Sequence, residues 1–192
     1  MKLKLTDVRL SFPDLHEPVE YQIGDGKPRY NASFLVVPGS ANDKAINTAI
    51  KEACNDVFEK KADKMLESFK GNVNKICYLD GDTKEYDGYA GMMVLSSHRR
   101  AKDGPAGVYL DVIDPQTGKV AVASPNCGKP YAGCYVNASV EIYAQKGENP
   151  GVRCGLIAVQ FARDGDSFSG SKPATPDDFE PIEGAEDAGD LT

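Results

Sequence analysis

Tryptophan is absent from this 192-residue chain, and histidine occurs only twice, at His16 and His98. Two imidazoles leave little room for a Ser-His or Cys-His nucleophile system. Also missing are a Gly-rich phosphate loop ending in Lys-Ser or Lys-Thr, a Rossmann glycine triplet after a strand, and a Gly-x-Ser-x-Gly elbow. The sequence therefore offers no positive reason to expect an enzyme, and it calls for no cofactor. No apolar run approaches the ~20 residues that span a bilayer. Met1 to Asp7 alternate polar and apolar residues and lack the continuous apolar core of a signal peptide. The five cysteines (Cys54, Cys77, Cys127, Cys134, Cys154) are odd in number and never spaced as a pair two residues apart. They read as reduced, mostly buried thiols of a cytosolic protein, and a zinc site would have to be assembled from scattered positions. The carboxylates Asp80, Asp82, Glu85 and Asp87 lack the closing glutamate of a calcium loop, and read as a solvated loop.

Excess acid is missing from most of the chain too. The net charge of −7 comes from the last 29 residues, where nine carboxylates face one base, Lys172, to give −8. Residues 1–163 hold 20 acids and 21 bases. Residues 164–192 are rich in Gly, Pro, Ser and Ala and offer only Phe168, Phe179, Ile182 and Leu191 for burial, too little to offset ordering entropy. The organisation expected is thus one domain over 1–163 and an acidic flexible tail over 164–192. A near-neutral body with such a tail is a pattern of proteins that bind a polyanion and recruit partners. The plainer alternative is a tail that only keeps the protein soluble.

What the body does have is strand periodicity. Leu3, Leu5, Val8, Leu10 and Phe12 punctuate a run that Pro13 is expected to stop, and Tyr30, Ala32, Phe34 and Val36 alternate with more polar neighbours. From Ser40 to about Phe69 the apolar spacing turns helical, with Ser40 and Asp43 as a capping box, Gly71 beyond the last turn, and a break near Lys60 to Asp63. Strands are expected again at Ile76–Leu79, Tyr89–Ser97, Gly107–Ile113, Lys119–Ala123, Tyr131–Ala144 and Gly151–Phe161, with Asp114–Gly118 as a hairpin turn. Two loops, Asp80–Gly88 and Ala101–Ala106, are expected to be long and exposed. One principal helix among many strands suits a mainly β fold, the antiparallel oligonucleotide/oligosaccharide-binding barrel (OB-fold), better than a doubly wound sheet; a β-sandwich is the alternative.

The densest basic run, His98-Arg99-Arg100-Ala101-Lys102, follows directly on a strand, with Tyr89 upstream and Tyr109 downstream. Proteins that hold single-stranded nucleic acid combine a positive groove with aromatic faces for the bases. Arg99, Arg100, Lys102 and Arg9 are the candidate phosphate contacts, and Tyr89, Phe12 and Tyr30 the candidate stacking residues. Adjacent arginines on a strand point to opposite faces, so one of the pair Arg99 and Arg100 can face elsewhere.

Several stretches resemble a known family. They are Arg9-Leu10-Ser11-Phe12-Pro13-Asp14-Leu15-His16-Glu17-Pro18, Tyr30 to Leu35, Leu79-Asp80-Gly81-Asp82, Tyr131 to Val140, and Gly151 to Leu156. Spread over nearly the whole body, they are similar to the phage single-stranded DNA-binding proteins first catalogued as a domain of unknown function in tailed phages of enterobacteria. The resemblance implies an oligonucleotide-binding barrel, replication-linked binding of single-stranded DNA, and a functional parallel with the tailed single-stranded DNA-binding protein of T7-like phages. That protein's acidic tail ends in an aromatic residue, whereas this chain ends Gly189-Asp190-Leu191-Thr192. The expected function is a sequence-independent coat for single-stranded DNA in replication or recombination, in the cytoplasm of the infected host. A monomer or homodimer is expected, with Asp177, Asp178, Phe179 and Glu180 meeting a polymerase or helicase. The competing reading is a phage structural or assembly protein that binds no nucleic acid.

Overall fold

The alternating stretches become eight strands of one sheet that closes on itself. In the computed structural model, which describes residues 1–20 and 26–168, the strands are β1 (Lys2–Val19), β2 (Arg29–Val36), β3 (Tyr78–Asp80), β4 (Met93–Arg100), β5 (Gly107–Ile113), β6 (Val120–Val122), β7 (Tyr135–Gln145) and β8 (Gly151–Arg163). Their order is β3-β4-β2-β1-β7-β8-β5-β6, and β4 also pairs with β8. That extra pairing is parallel, joins His98 to Gly155, and closes a five-stranded barrel of β1, β2, β4, β8 and β7. Because the barrel is closed, it is the OB-fold rather than the sandwich.

The helical stretch lies between β2 and β3. Ser40 caps α1 (Ala41–Phe58) by accepting from the Asp43 amide, and the Asp43 carboxylate accepts in turn from the Gly39 amide at 2.7 Å. The Asp43 side chain also accepts the Tyr78 hydroxyl proton at 2.8 Å, tying the helix start to β3. The break falls at Glu59, which takes φ +51°; a single 3₁₀ turn (Glu59–Lys61) leads into α2 (Ala62–Phe69). Ile46, Ile50, Ala53 and Phe69 from the helices meet Leu5, Leu10, Phe34, Leu95, Val140, Ile142, Leu156 and Phe161 from the barrel in one core. Each fully buried Leu, Ile, Val or Phe side chain among them contributes roughly 1.5–3 kcal/mol of transfer free energy. Among the described residues no helix is long and apolar enough to cross a membrane.

Two expectations need correcting. Pro13 does not stop β1: the strand runs on to Val19 through a register shift between Ser11 and Asp14, and a bulge is where a strand accommodates a proline. Residues 89–92 are not strand either. Glycines at positive φ, Gly88 and Gly91, turn the chain there, and β4 begins only at Met93. The 81–92 segment is instead folded over the outer surface of the sheet, where Tyr89 packs with Leu35 and Val94. The acidic loop at its start is therefore partly built into the body, with the Asp82 carboxylate accepting from the Gly91 amide at 2.6 Å.

Candidate nucleic-acid interface

The outer face of the barrel is divided in two. Its upper part is covered by the 81–92 loop, while the part below is open and crosses the strands. One row of residues runs across all five barrel strands by direct register: Asp14 on β1, Asn31 on β2, His98 on β4, Gly155 on β8 and Glu141 on β7. With strands ~4.8 Å apart, such a row is ~19 Å long. Alternation places Arg29, Asn31 and Ser33 on this face of β2, and Ser96, His98 and Arg100 on the same face of β4, with Arg29 opposite Arg100. Arg153 and Tyr143 stand opposite each other on β8 and β7.

Of these side chains Arg29, Ser96, His98, Tyr143 and Arg153 line a groove of about 870 Å³, walled by Asn74, Ile76, Lys84 and Asn149. The walls are tied to the body: Lys75 Nζ donates to Asn149 Oδ1 at 2.7 Å, and Arg153 Nη2 donates to the Asn74 carbonyl at 2.9 Å. The Tyr143 ring is 38 % exposed. Burial pushes its phenol up from the ordinary value, against the pull of the Arg153 guanidinium, so it stays neutral near pH 7.

A second hollow of about 550 Å³ adjoins the row at Asp14 and is lined by Phe12, Pro13, Tyr86 and Phe168. Asn31 Nδ2 donates to Asp14 Oδ2 at 3.3 Å, joining neighbouring members of the row. Phe12, 44 % exposed, has φ +48° in the β1 bulge and sits against Tyr86, 52 % exposed. An open aromatic pair thus marks one end of the row and Tyr143 the other.

The residues singled out from the sequence fall into three groups. Phe12 and Arg100 border the open face. The Arg100 guanidinium is bonded to the Asp103 carboxylate at 2.7 Å, which raises its pKa further. Lys102 is exposed on the 3₁₀ turn beyond β4. Arg99 points the other way, its Nε and Nη2 donating to the carbonyls of Gly104 and Asp103, each at 2.8 Å. Tyr30 and Tyr89 are 7 % and 1 % exposed, so in this structure neither ring offers a face to a base. Tyr89 instead plugs the 81–92 loop into the sheet, its hydroxyl 3.2 Å from Ser11 Oγ. Arg9 lies beside Tyr135, ~26 Å along β7 from Tyr143 at a strand rise of ~3.3 Å per residue; its guanidinium is occupied by the Gly133 and Asp166 carbonyls. Asp177, Asp178, Phe179 and Glu180 lie outside the described residues.

Sequence reasoning does not single out Arg29, Lys84, Tyr86, Tyr143 and Arg153. The usable signal for two of them is positional. In Asn137-Ala138-Ser139-Val140-Glu141-Ile142-Tyr143 the outward face is polar until the tyrosine, and Arg153 stands outward between two buried residues, Val152 and Cys154. Among the described residues no three His, Cys, Asp or Glu side chains converge to hold a metal.

The family described as Enterobacter phage Enc34, ssDNA-binding protein, matches residues 1–191 of the chain. The chain belongs to that family. Protein p50 of Acyrthosiphon pisum secondary endosymbiont phage 1 is 40 % identical over 190 residues, covering 97 % of both chains. Among solved structures, the single-stranded DNA-binding protein from bacteriophage Enc34, in complex with ssDNA, is 21 % identical with a TM-score of 0.66 over 88 % of this chain and 89 % of that one. The gp2.5 single-stranded DNA-binding protein encoded by bacteriophage T7 is 14 % identical with a TM-score of 0.50, over 98 % and 100 %. At these identities the two structures establish the shared fold.

Proposed function

We propose that this protein binds single-stranded DNA without sequence preference, the strand crossing the barrel from Phe12 and Tyr86 to Tyr143. The observation that carries the reading is the transverse row: open aromatic rings stand at both ends, and Arg29, Arg100 and Arg153 flank it. Bases stack on the rings whatever their identity, and the guanidiniums take the phosphates. Arg99 and Arg9 support neighbouring backbone in this scheme, and Lys102 adds charge where the strand leaves β4. In this proposal the setting is the coating of single strands during phage replication and recombination inside the infected host, a reading that membership of a phage ssDNA-binding family supports.

The acidic stretch completes the proposal. A strip of charge −6 over residues 169–192, tethered to the body, is at high effective concentration and competes with DNA for the basic face. DNA displaces it and makes Asp177-Asp178-Phe179-Glu180 available to a polymerase or helicase, the carboxylates steering the encounter and the phenyl ring anchoring it. The test is fluorescence anisotropy with labelled oligonucleotides, using the full chain and a chain ending at Phe168, at ~50 and ~300 mM salt, across which exposed charges are increasingly screened. Binding that tightens on truncation chiefly at low salt supports the scheme. No binding of a 30-mer at micromolar protein would sink the DNA reading, and equal affinities of the two chains at both salts would remove the competition.

A further inference from the structure

Beyond β8 the chain turns back along the body, and three glycines shape the bed in which residues 164–168 lie. A Cβ on Gly133, which has φ +103°, would run into the Asp166 carbonyl. A Cβ on Gly165 would run into the Gly133 carbonyl, and one on Gly88 would stand 2.5 Å from Phe168 Cε1. Hydrogen bonds hold the segment in this bed. The Phe168 amide donates to the Ala132 carbonyl at 3.0 Å, and Arg9 donates through Nη2 to the Asp166 carbonyl at 2.8 Å. The Tyr131 hydroxyl accepts from the Gly165 amide at 3.2 Å and lies 3.0 Å from Asp164 Oδ1.

The Phe168 ring is the end of this arrangement. The Arg9 guanidinium carbon lies over it, 4.3 Å from the ring centroid. It also packs on the small cluster of Leu35, Tyr89 and Val94, as does Met92. That cluster fastens the 81–92 loop to the sheet, and the loop presents Tyr86 to the second hollow, beside Phe12. An aromatic from the far end of the sequence therefore covers the attachment point of the loop that carries one of the proposed stacking rings.

We propose that Phe168 is a positioning residue for DNA binding: docked between Arg9 and Gly88, it holds residues 84–91, and with them Tyr86, at the end of the transverse row. Its effect on DNA rests on the function proposed above, whereas its effect on the loop does not. The segment 164–168 then belongs with the body, and the acidic stretch is joined to it beside the second hollow.

The experiment compares the full-length chain with its Phe168→Ala and Phe168→Tyr variants. Hydrogen exchange is read at the amides of Tyr89 and Met92, which donate within the loop to the Tyr86 and Tyr89 carbonyls at 3.1 and 3.0 Å. In Phe168→Ala they exchange about tenfold faster while Leu95 and Val140 in the barrel are unchanged, the scale expected when one packed aromatic ring is removed. Affinity for an oligo-dT strand falls about fivefold on the same scale. Phe168→Tyr keeps both properties. Unchanged exchange at Tyr89 and Met92, or an equal rise in the barrel strands, overturns the proposal. If the wild-type chain fails to bind DNA, the functional reading falls and the exchange result still decides the role of Phe168.

Discussion

The ring of Phe12 meets that of Tyr86 edge to face, with centroids 5.0 Å apart and planes 72° from parallel. One comes from a bulge in the first strand and the other from a loop laid across the sheet, and Tyr89 stands 5.3 Å behind Tyr86. The front rings are open and the rear one is sealed, which separates binding from stability within one aromatic cluster.

Replacing Tyr86 or Tyr143 by alanine is expected to weaken single-stranded DNA binding by about 1–3 kcal/mol each, the value of one stacked base, with little change in melting temperature. Tyr89→Ala should instead lose roughly 3–5 kcal/mol of stability as a large core aromatic is removed, with weaker DNA binding following from the loosened Tyr86 loop. Anisotropy titrations paired with thermal melts read both quantities. A stable Tyr89→Ala protein would contradict the plug.

Gly155 forms the floor between His98 and Tyr143. A Cβ there makes ordinary contacts, 3.7 Å from the Glu141 carbonyl and 3.9 Å from Tyr143 Cε1. Gly155→Leu should fold normally and reduce DNA affinity by about tenfold or more, as one displaced base would. Wild-type affinity in a folded Gly155→Leu protein would move the DNA path off this row.

Reversing charge at Arg29 and Arg153 should cut affinity and flatten the salt dependence by ~0.7 log units for each phosphate no longer neutralised. The same change at Lys60 and Lys61, exposed on the 3₁₀ turn between the helices, should leave the slope unaltered. Equal losses from both pairs would mean that long-range charge alone, and not this groove, holds the strand.

The thiols give a chemical check on the core. Burial pushes the Cys77 thiol up to about 12 and the Cys134 thiol to about 11, and raises Cys54 and Cys154 as well. These groups stay protonated below those values and react only when unfolding returns them to ~8.5. Cys127 is the one exposed thiol of the five. Iodoacetamide at about pH 8 should add one label to the native protein and five in denaturant, counted by intact mass. More than one rapid native adduct would show an open core.

Much of the fold can be read from the sequence because period and punctuation agree. The Ser40 cap and the strands containing Phe34, Val140 and Leu156 follow from local spacing, as does a helix break, expected near Lys60 to Asp63 and found at Glu59–Lys61. The basic run at His98–Lys102 is legible as charge but not as direction, since its use depends on which face of β4 lies outside the barrel. Tyr89 reads as a strand residue in the sequence because Gly88 and Gly91 give no sign that the chain folds back over the sheet. The transverse row joins positions 14, 31, 98, 155 and 141, brought together only by strand register, and no local pattern encodes that register.

The barrel closes through the single pairing of His98 with Gly155, and that pairing lies under the centre of the proposed path. A polynucleotide running from Phe12 to Tyr143 is a suture across this seam, gripping β2 and β4 on one side and β8 and β7 on the other. On that proposal bound DNA would add to the stability of the closed barrel by mass action, because it would hold only the closed form. A weakened seam would in turn weaken DNA binding.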